Sequence, residues 1–318
     1  MSFFDYSLFI LTKSLTIILL TQILKEVTKL NQGKIIILPA LRNINMENTV
    51  GTLNVAYKDL EENSEDIDYA FFEKVPNELN NIISNIHGES QLIELHALDD
   101  KIVDMNYLTR RVDSIKQNCL KLTKTINDIV ELRKLEKKQA NLYINNVNIV
   151  EIIDNIVINA SNYINDKVIF DTDIEEKFMP CDINKFQKVM LILLSIAAKY
   201  SNKKKVLVNL NVVEDNIIIA ITFNNKSHKL LNIFKGKMDN PSIDDLDELS
   251  LNLFLCKSLI TLHGGSISVR GNADETIFSI ELPCENSDSV YHLFKSDIKD
   301  DEYLMEQIRI EFSDLSEI

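Results

Sequence analysis

Three polar side chains at helical spacing are the residues of this chain best suited to chemistry. Asn81 follows Glu78 by three residues and Asn77 by four, so one helix would present all three to a single partner. The Asn77 nitrogen gives its lone pair to the amide carbonyl and is not a nucleophile. Asn81 can hydrogen-bond a water molecule and orient it, with the Glu78 carboxylate beside it. The apolar repeat that predicts this helix is formed by Val75, Leu79, Ile82, Ile83 and Ile86.

A second helix is predicted over residues 104–140, where apolar residues recur at alternating spacings of three and four. The two helices together predict a helical hairpin. Hairpins from two chains would bury both stripes in a four-helix bundle, whereas the alternative is a hairpin packed within one chain. The stripe of the second helix is formed by Val112, Ile115, Cys119, Leu122, Ile126 and Ile129.

After an asparagine-rich stretch at 141–148, which predicts a domain boundary, the pattern changes to alternating helices and strands. Apolar residues alternate along the strands, so each strand is expected to bury one face. This pattern predicts a sheet with helices on one face. The helices are predicted over 149–159, 182–201 and 249–262, and the strands over 167–170, 206–212, 217–223, 266–270 and 277–282.

Charge and cysteine content exclude several classes of function. The net charge of -14, from 48 acidic and 34 basic residues, argues against a nucleic-acid binder, which needs a basic face to neutralise phosphates. The four cysteines are widely spaced and form no Cys-x-x-Cys pair. They are therefore interpreted as reduced thiols of a cytoplasmic protein, and no metal site is predicted.

The two ends of the chain carry no predicted chemistry. The apolar run at 7–24 is interrupted by Lys13, which leaves two interpretations open: a helix buried or packed on a partner, and a membrane anchor. At the other end, residues 286–318 are an acidic tail in which Ile308, Ile310 and Phe312 alternate as in an edge strand.

Residues 71–83 resemble the phosphoacceptor box of two-component sensor histidine kinases, Phe-Phe-x-x-Val-Ser-His-Glu-Leu-Arg-Thr-Pro-Leu. The match includes Phe71, Phe72, Val75 and Glu78. Asn77 stands at the place of the family's phosphorylated histidine, so we predict that it is an inactive acceptor. Glu78 and Asn81 keep the Glu-x-x-Thr/Asn pattern. In bifunctional members of the family, this pattern is associated with dephosphorylation of the response regulator.

The second half of the chain resembles the GHKL-type ATP-binding domain of the same kinases. His263 to Val269 is similar to the family's His-Gly-Gly-x-Ile-x-Val, and the helix from Asp182 to Ser201 to its N-box helix. His263 is predicted to flank a helix C-cap at Gly264 rather than to act as a base. The resemblance implies an α+β fold. Its parts are an apolar helix and linker without a complete sensor domain (1–70), a dimerisation hairpin (71–140), a GHKL α/β sandwich (147–285) and the tail (286–318).

The nucleotide contacts of the family are not matched. The resemblance places the magnesium-binding asparagine of the N box at Ile196 and an earlier asparagine of that box at Ile192, and an isoleucine supplies no oxygen ligand. Lys199 and Tyr200 remain as polar residues of the same box. Of the family's adenine-binding motif, Asn225 could still accept a hydrogen bond, but a glycine is replaced at Ser227; two glycines of the phosphate-binding box are replaced at Ser250 and Asn252. We therefore predict that neither ATP nor Mg²⁺ binds.

The resemblance with these departures predicts a degenerate histidine kinase. It would form a homodimer through residues 71–140 and bind a response regulator receiver domain or an active histidine kinase. The first alternative is a phosphatase that acts on the aspartyl phosphate of a response regulator through Glu78 and Asn81. The second alternative is a conventional ATP-dependent histidine kinase, which the departures at Asn77 and Ile196 oppose.

Overall fold

A computed structural model of the chain describes residues 69–98, 104–136, 139–164, 168–201, 205–224, 248–271, 275–284 and 299–315. The chain divides into two compact units between Thr125 and Ile126. The apolar segment 7–24 lies outside the described residues, so neither interpretation of it is tested. None of the helices in the described ranges is long and apolar enough to cross a membrane.

The first unit contains the predicted helical hairpin. Helix α1 spans Tyr69–Leu98 and helix α2 spans Met105–Glu136. Asp104 caps α2, since its Oδ1 accepts hydrogen bonds from the backbone N–H groups of Asn106 and Tyr107 at 3.0 and 3.3 Å. The apolar stripes of the two helices meet as predicted, in a core formed by Ile82, Ile86, Ile93, Leu108, Ile115 and Cys119.

The second unit is an α/β sandwich built around a five-stranded sheet of order β2-β4-β5-β7-β6. Strands β2 and β4 are parallel and the other neighbours are antiparallel. A separate antiparallel pair joins β1 and β3. The strands are β1 (Asn145–Asn148), β2 (Val168–Thr172), β3 (Phe178–Cys181), β4 (Val206–Val213), β5 (Asn216–Asn224), β6 (Ser266–Gly271) and β7 (Glu275–Pro283); the helices are α3 (Ile149–Ile164), α4 (Ile183–Tyr200), α5 (Glu248–Leu262) and α6 (Lys299–Glu311).

The core lies between the sheet and helices α3, α4 and α5. The alternation predicted for the strands is confirmed: Val206, Val208 and Leu210 of β4 are buried, as are Ile217 and Ile219 of β5. Helix α4 is the centre of the helical layer, because it packs on both of these strands and on α3 and α5. Its sequence is apolar almost all round from 189 to 198, which is typical of a fully enclosed helix.

The C-terminal region corrects one prediction. The edge strand expected from Ile308, Ile310 and Phe312 is wrong, because these residues belong to helix α6 and the turn that follows it. Leu304, Ile308 and Glu311 are all buried, and their spacing of four and three is helical. This longer repeat outweighs the short alternation. Strands β1 and β3, which the sequence patterns did not predict, are both only four residues long.

Candidate functional site

Helix α1 presents a polar face beside the hairpin core. Asn81, Ser84 and Asn85 are exposed, whereas Ile82 and Ile86 on the other side are buried. Asn77 and Glu78 precede them in the same helix. Because residues three and four apart share a helix face, Asn81, Ser84 and Asn85 form one exposed face in helical register with position 77, and these four positions are called the asparagine face below.

His87 lies outside the asparagine face. It is exposed, and its Nε2 is 2.9 Å from Nε2 of Gln91 one turn later. Its position is about 120° around the helix from Asn81. The histidine nearest to the acceptor box is therefore not presented to the same partner as Asn81.

The N-box positions lie deep in the helical layer. Ile192 and Ile196, on successive turns of α4, are 1% and 4% exposed. Lys199 is exposed in the last turn and Tyr200 is half-buried at the helix end. The structure therefore places two apolar side chains in the core at the positions where the resemblance expects the N-box asparagines.

The first turn of α5 holds the positions of the phosphate-binding glycines. Ser250 and Asn252 are 7% and 5% exposed, so their side chains are nearly enclosed. Within the described part of the chain, the Asn252 Oδ1 has no hydrogen-bond partner. Burying an unpaired carbonyl oxygen costs about 1 to 3 kcal/mol. Asn225 and Ser227, the adenine-motif positions, lie outside the described residues.

The opposite end of α5 is bonded into the fold, as the C-cap prediction requires. Gly264 has a φ of 76°, the left-handed conformation that favours glycine. The N–H of Gly265 donates to the carbonyl of Ile260 at 3.0 Å. The His263 Nδ1 is 2.8 Å from the Leu259 carbonyl, which assigns the ring proton to Nδ1 because a carbonyl only accepts.

His263 reaches the start of α4 with its second ring nitrogen. The backbone N–H of Asp182 donates to His263 Nε2 at 3.3 Å. Asp182 in turn caps α4, since its Oδ1 accepts from the N–H of Lys185 at 3.1 Å, and its Oδ2 accepts from the N–H of Tyr143 at 2.9 Å. Both ring nitrogens of His263 are thus used in structure, and neither is free to act as a base.

A buried charged cluster lies beside this cap, and no sequence pattern predicted it. Lys188 of α4 is 2.6 Å from Asp128 and 3.5 Å from Glu311, and Lys185 is 2.7 Å from Glu131. Burial alone would lower the pKa of Lys188, but the charges of Asp128 and Glu311 outweigh it and hold that pKa above its usual value. The only local signal was two lysines three residues apart in an otherwise apolar helix.

All four cysteines lie within the described residues. All four cysteines are buried and free of disulfide bonds. Burial raises the pKa of Cys119 to about 11, which keeps the thiol protonated and unreactive at neutral pH. The described ranges contain no group of three side chains suited to hold a metal ion.

The chain is similar in sequence to curated signalling proteins. It is 25% identical over 218 residues to the sensor histidine kinase CssS of Bacillus subtilis, a match that covers 66% of this chain and 46% of that protein. It is 24% identical over 291 residues to hybrid signal transduction histidine kinase D of Dictyostelium discoideum, a match that covers 83% of this chain and 18% of that protein. Both of these matches are to histidine kinases.

The fold agrees with the similarity in sequence to histidine kinases. The histidine kinase AdeS of Acinetobacter baumannii matches 66% of this chain and 98% of its own chain with a TM-score of 0.50 at 19% identity. The helical hairpin and the GHKL-type α/β sandwich are therefore those of a histidine kinase. No protein-family model matches the chain. The chain spans less than half the length of the two curated kinases.

Within this histidine kinase fold, the candidate residues fall into three separate groups. The asparagine face belongs to α1, and the N-box positions Ile192 and Ile196 belong to the core of α4. Ser250 and Asn252 belong to the first turn of α5. Of these three groups, the first is exposed, and the side chains of the second and third are enclosed by protein.

Proposed function

We propose that this chain is a member of the histidine kinase family that does not phosphorylate itself and acts by binding a partner. The partner is the receiver domain of a response regulator or an active histidine kinase. The observation that carries the proposal is the burial of Ile192 and Ile196 in the helical layer. The departures at the acceptor position and in the first turn of α5 support it independently.

The side chains at the N-box positions are not suited to bind Mg²⁺. Mg²⁺ requires oxygen ligands in near-octahedral geometry, and an isoleucine side chain has none. Ile192 and Ile196 contribute to the packing of α4, which is enclosed from Val189 to Ala198. An amide at either position would have to be satisfied inside that packing. The two isoleucines therefore support the proposal that this domain has a structural role and does not turn over nucleotide.

Asn77 lacks the nucleophilic nitrogen that a phosphoryl acceptor needs. Imidazole carries a free ring-nitrogen lone pair, whereas the Asn77 amide does not. Asn77 lies in α1 in the register of the acceptor box. We infer that phosphoryl transfer to this position does not occur, and that loss of the ATP site and loss of the acceptor are two separate departures.

The asparagine face supports binding in place of catalysis. It is polar and exposed at Asn81, Ser84 and Asn85, whose side chains can both donate and accept hydrogen bonds. The adjoining hairpin residues Leu92, Leu95 and Met105 are large, apolar and 40%, 64% and 52% exposed. Exposed apolar residues of this kind support a contact with a second copy of the hairpin. We therefore include a homodimer through residues 71–140 in the proposal.

A phosphatase is the second candidate, and the exposure of Asn81 favours it. The amide could orient a water molecule in line with an aspartyl phosphate, while the response regulator supplies its own carboxylates and Mg²⁺. This activity needs no ATP and no histidine in this chain. A conventional ATP-dependent kinase remains the third candidate, supported by the family alone.

The test is incubation of the purified chain and of Asn77→His with γ-labelled ATP and Mg²⁺, followed by detection of acid-labile phosphate. An active histidine kinase in a parallel reaction is the positive control. We expect no label on either protein. Label on the wild type would overturn the proposal, and loss of that label in His87→Gln would identify a replacement acceptor. Label on Asn77→His alone would show that the nucleotide domain functions and that only the acceptor is missing.

The binding and phosphatase candidates are separated by Asn81→Ala. Purified receiver domains of the source organism, labelled with acetyl phosphate, serve as probes for both binding and loss of label. If the chain only binds, neither the wild type nor the variant accelerates loss of label. If it is a phosphatase, the variant binds almost normally but loses most of the acceleration, about 100-fold for a group that positions the attacking water. Ser84→Ala on the same face is the matched control.

A further inference from the structure

The C-terminal helix α6 and the last turns of α2 meet at one buried lysine of α4. The Lys188 Nζ lies 2.6 Å from Asp128 Oδ1 on α2 and 3.5 Å from Glu311 Oε1 on α6. Asp128 and Glu311 are 2% and 1% exposed. We propose that α6 is a latch. It holds residues 126–136 of α2 against α4 through the contact of Glu311 with Lys188.

Two ion pairs attach the last turns of α2 to α4, and only one of them involves α6. Glu131 pairs with Lys185 at 2.7 Å, where both side chains keep about a sixth of their surface exposed, at 17% and 16%. Asp128 pairs with Lys188 in nearly complete enclosure, with 3% of its side chain exposed. Since an ion pair strengthens as water is excluded, the Asp128 pair depends on the protein that covers it.

Helix α6 reaches this cluster through Glu311. Glu311 contacts Lys188 directly. Near the other end of α6, burial raises the pKa of Tyr303, whose hydroxyl also responds to the charges of Lys188, Asp182 and Glu131. Departure of α6 would therefore remove the Glu311 carboxylate and admit water to the Lys188 ammonium, which weakens its attraction for Asp128.

Apolar contacts dock α6 independently of its charge. Leu304, Ile308 and Phe312 are 1%, 0% and 0% exposed, and α6 packs on α3 and α4. The Phe312 ring meets the Tyr163 ring edge-on, with centroids 6.1 Å apart. The latch can consequently be opened in two ways, by removing apolar contact at Ile308 or by changing charge at Lys188 and Glu311.

The charges of the cluster predict what each change does. Ion pairs join the carboxylates of Asp128, Glu131 and Glu311 to the ammonium groups of Lys185 and Lys188. Lys188→Met would remove the ammonium group that Asp128 and Glu311 both contact, and losing one partner of a buried ion pair is costly. Glu311→Lys would oppose two ammonium groups. Either change should separate α6 from α4.

The experiment is hydrogen–deuterium exchange, read by mass spectrometry, on the full chain and three variants: Ile308→Asp, Lys188→Met and Glu311→Lys. We expect amides of both 299–311 and 126–136 to exchange about tenfold faster or more in each variant. Peptides from strands β4 and β5 should exchange as in the wild type. Glu306→Gln, which changes an exposed residue of the same helix, is the control and should alter neither segment.

The latch would be overturned if 299–311 exchanged faster while 126–136 stayed protected, since α6 would then be a packing element without hold on α2. Protection of both segments in Glu311→Lys would equally exclude the role of the charge. Should Ile308→Asp also raise exchange in β4 and β5, that variant has unfolded, and the two charge variants, which remove little apolar contact, decide the question.

Discussion

The two ends of helix α5 use their polar residues in different ways. At the C-terminal end, His263 Nδ1 and the backbone N–H of Gly265 bond to carbonyl groups of α5 itself, and His263 Nε2 accepts from the backbone N–H of Asp182 at the start of α4. At the N-terminal end, Ser250 and Asn252 are buried, and the Asn252 Oδ1 has no partner in the described part of the chain. The C-terminal end matches the histidine kinase pattern, and the N-terminal end departs from it.

The two ends of α5 show that a residue of the family pattern can serve either the fold or a ligand. His263, Gly264 and Gly265 have structural duties that do not depend on any ligand, because they end a helix and join it to the cap of α4. The glycines expected at Ser250 and Asn252 would serve only the close approach of a phosphate. We infer that the likeness of this chain to kinases is concentrated where the fold itself needs the residue.

The largest expected effect is that of Gly265→Ala. A Cβ at this position would lie 2.3 Å from the Glu281 carbonyl oxygen and 2.8 Å from Leu282 Cδ2. The oxygen belongs to the backbone of β7, so the strand or the turn must shift. We expect a loss of about 3 kcal/mol in the free energy of unfolding, measured by urea denaturation.

Gly88→Ala is the matched control, because a Cβ there meets nothing within 4 Å. The position is inside helix α1, where alanine is favoured over glycine by roughly 0.5 to 1 kcal/mol. The two substitutions should therefore change stability in opposite directions. An equal, small effect of both would mean that the C-terminal end of α5 is not built on this close contact.

His263→Ala should have the next largest effect. It leaves the Asp182 N–H without its 3.3 Å acceptor and the Leu259 carbonyl without its 2.8 Å ring donor. We expect a loss of about 1 to 2 kcal/mol in unfolding free energy. Lys199→Ala, a change at an exposed residue of α4, should stay within about 0.5 kcal/mol of the wild type. A stability change no larger than that of the control would show that the bridge from α5 to α4 is dispensable.

Local patterns in the sequence predicted most elements, because helices and the longer strands repeat their apolar residues within a few positions. The stripe through Ile115 and Cys119 and the alternation along β4 are examples. Local patterns gave the wrong prediction for helix α6, where a strand-like alternation near Phe312 competed with a helical repeat. Family resemblance, not periodicity, identified the positions of Ile192 and Ile196.

The contacts that join distant segments could not be predicted. Asp182 bonds to Tyr143 and His263, which are 39 and 81 residues away, and Lys188 reaches Asp128 on α2 and Glu311 on α6. Each partner is an ordinary polar residue in its own segment, so nothing local marks the pair. Only the packing of α4 against its neighbours brings them together.

Asn252→Leu tests the other end of α5 and should have a small effect of the opposite sign. Removing an unsatisfied buried carbonyl and adding apolar volume of similar size is neutral or stabilising by up to about 1 kcal/mol. Ser250→Ala is the contrasting change, since Ser250 does take part in a polar interaction, and it should cost about 1 kcal/mol. A clear loss of stability in Asn252→Leu would indicate that the amide has a function in the fold after all.

The smallest expected effect is that of nucleotide on thermal unfolding. A ligand present at about 100 times its dissociation constant stabilises its site by about 2.7 kcal/mol, which raises the melting temperature of a unit of this size by about 5 to 10 °C. With Ile196 in the core and Ser250 and Asn252 enclosed, we expect ATP with Mg²⁺ to shift it by less than about 1 °C. A larger shift that disappears with EDTA would mean that metal and phosphates bind despite these residues. A shift that persists in EDTA would locate binding at the adenine alone, and the two ends of α5 would then differ less than their hydrogen bonds indicate.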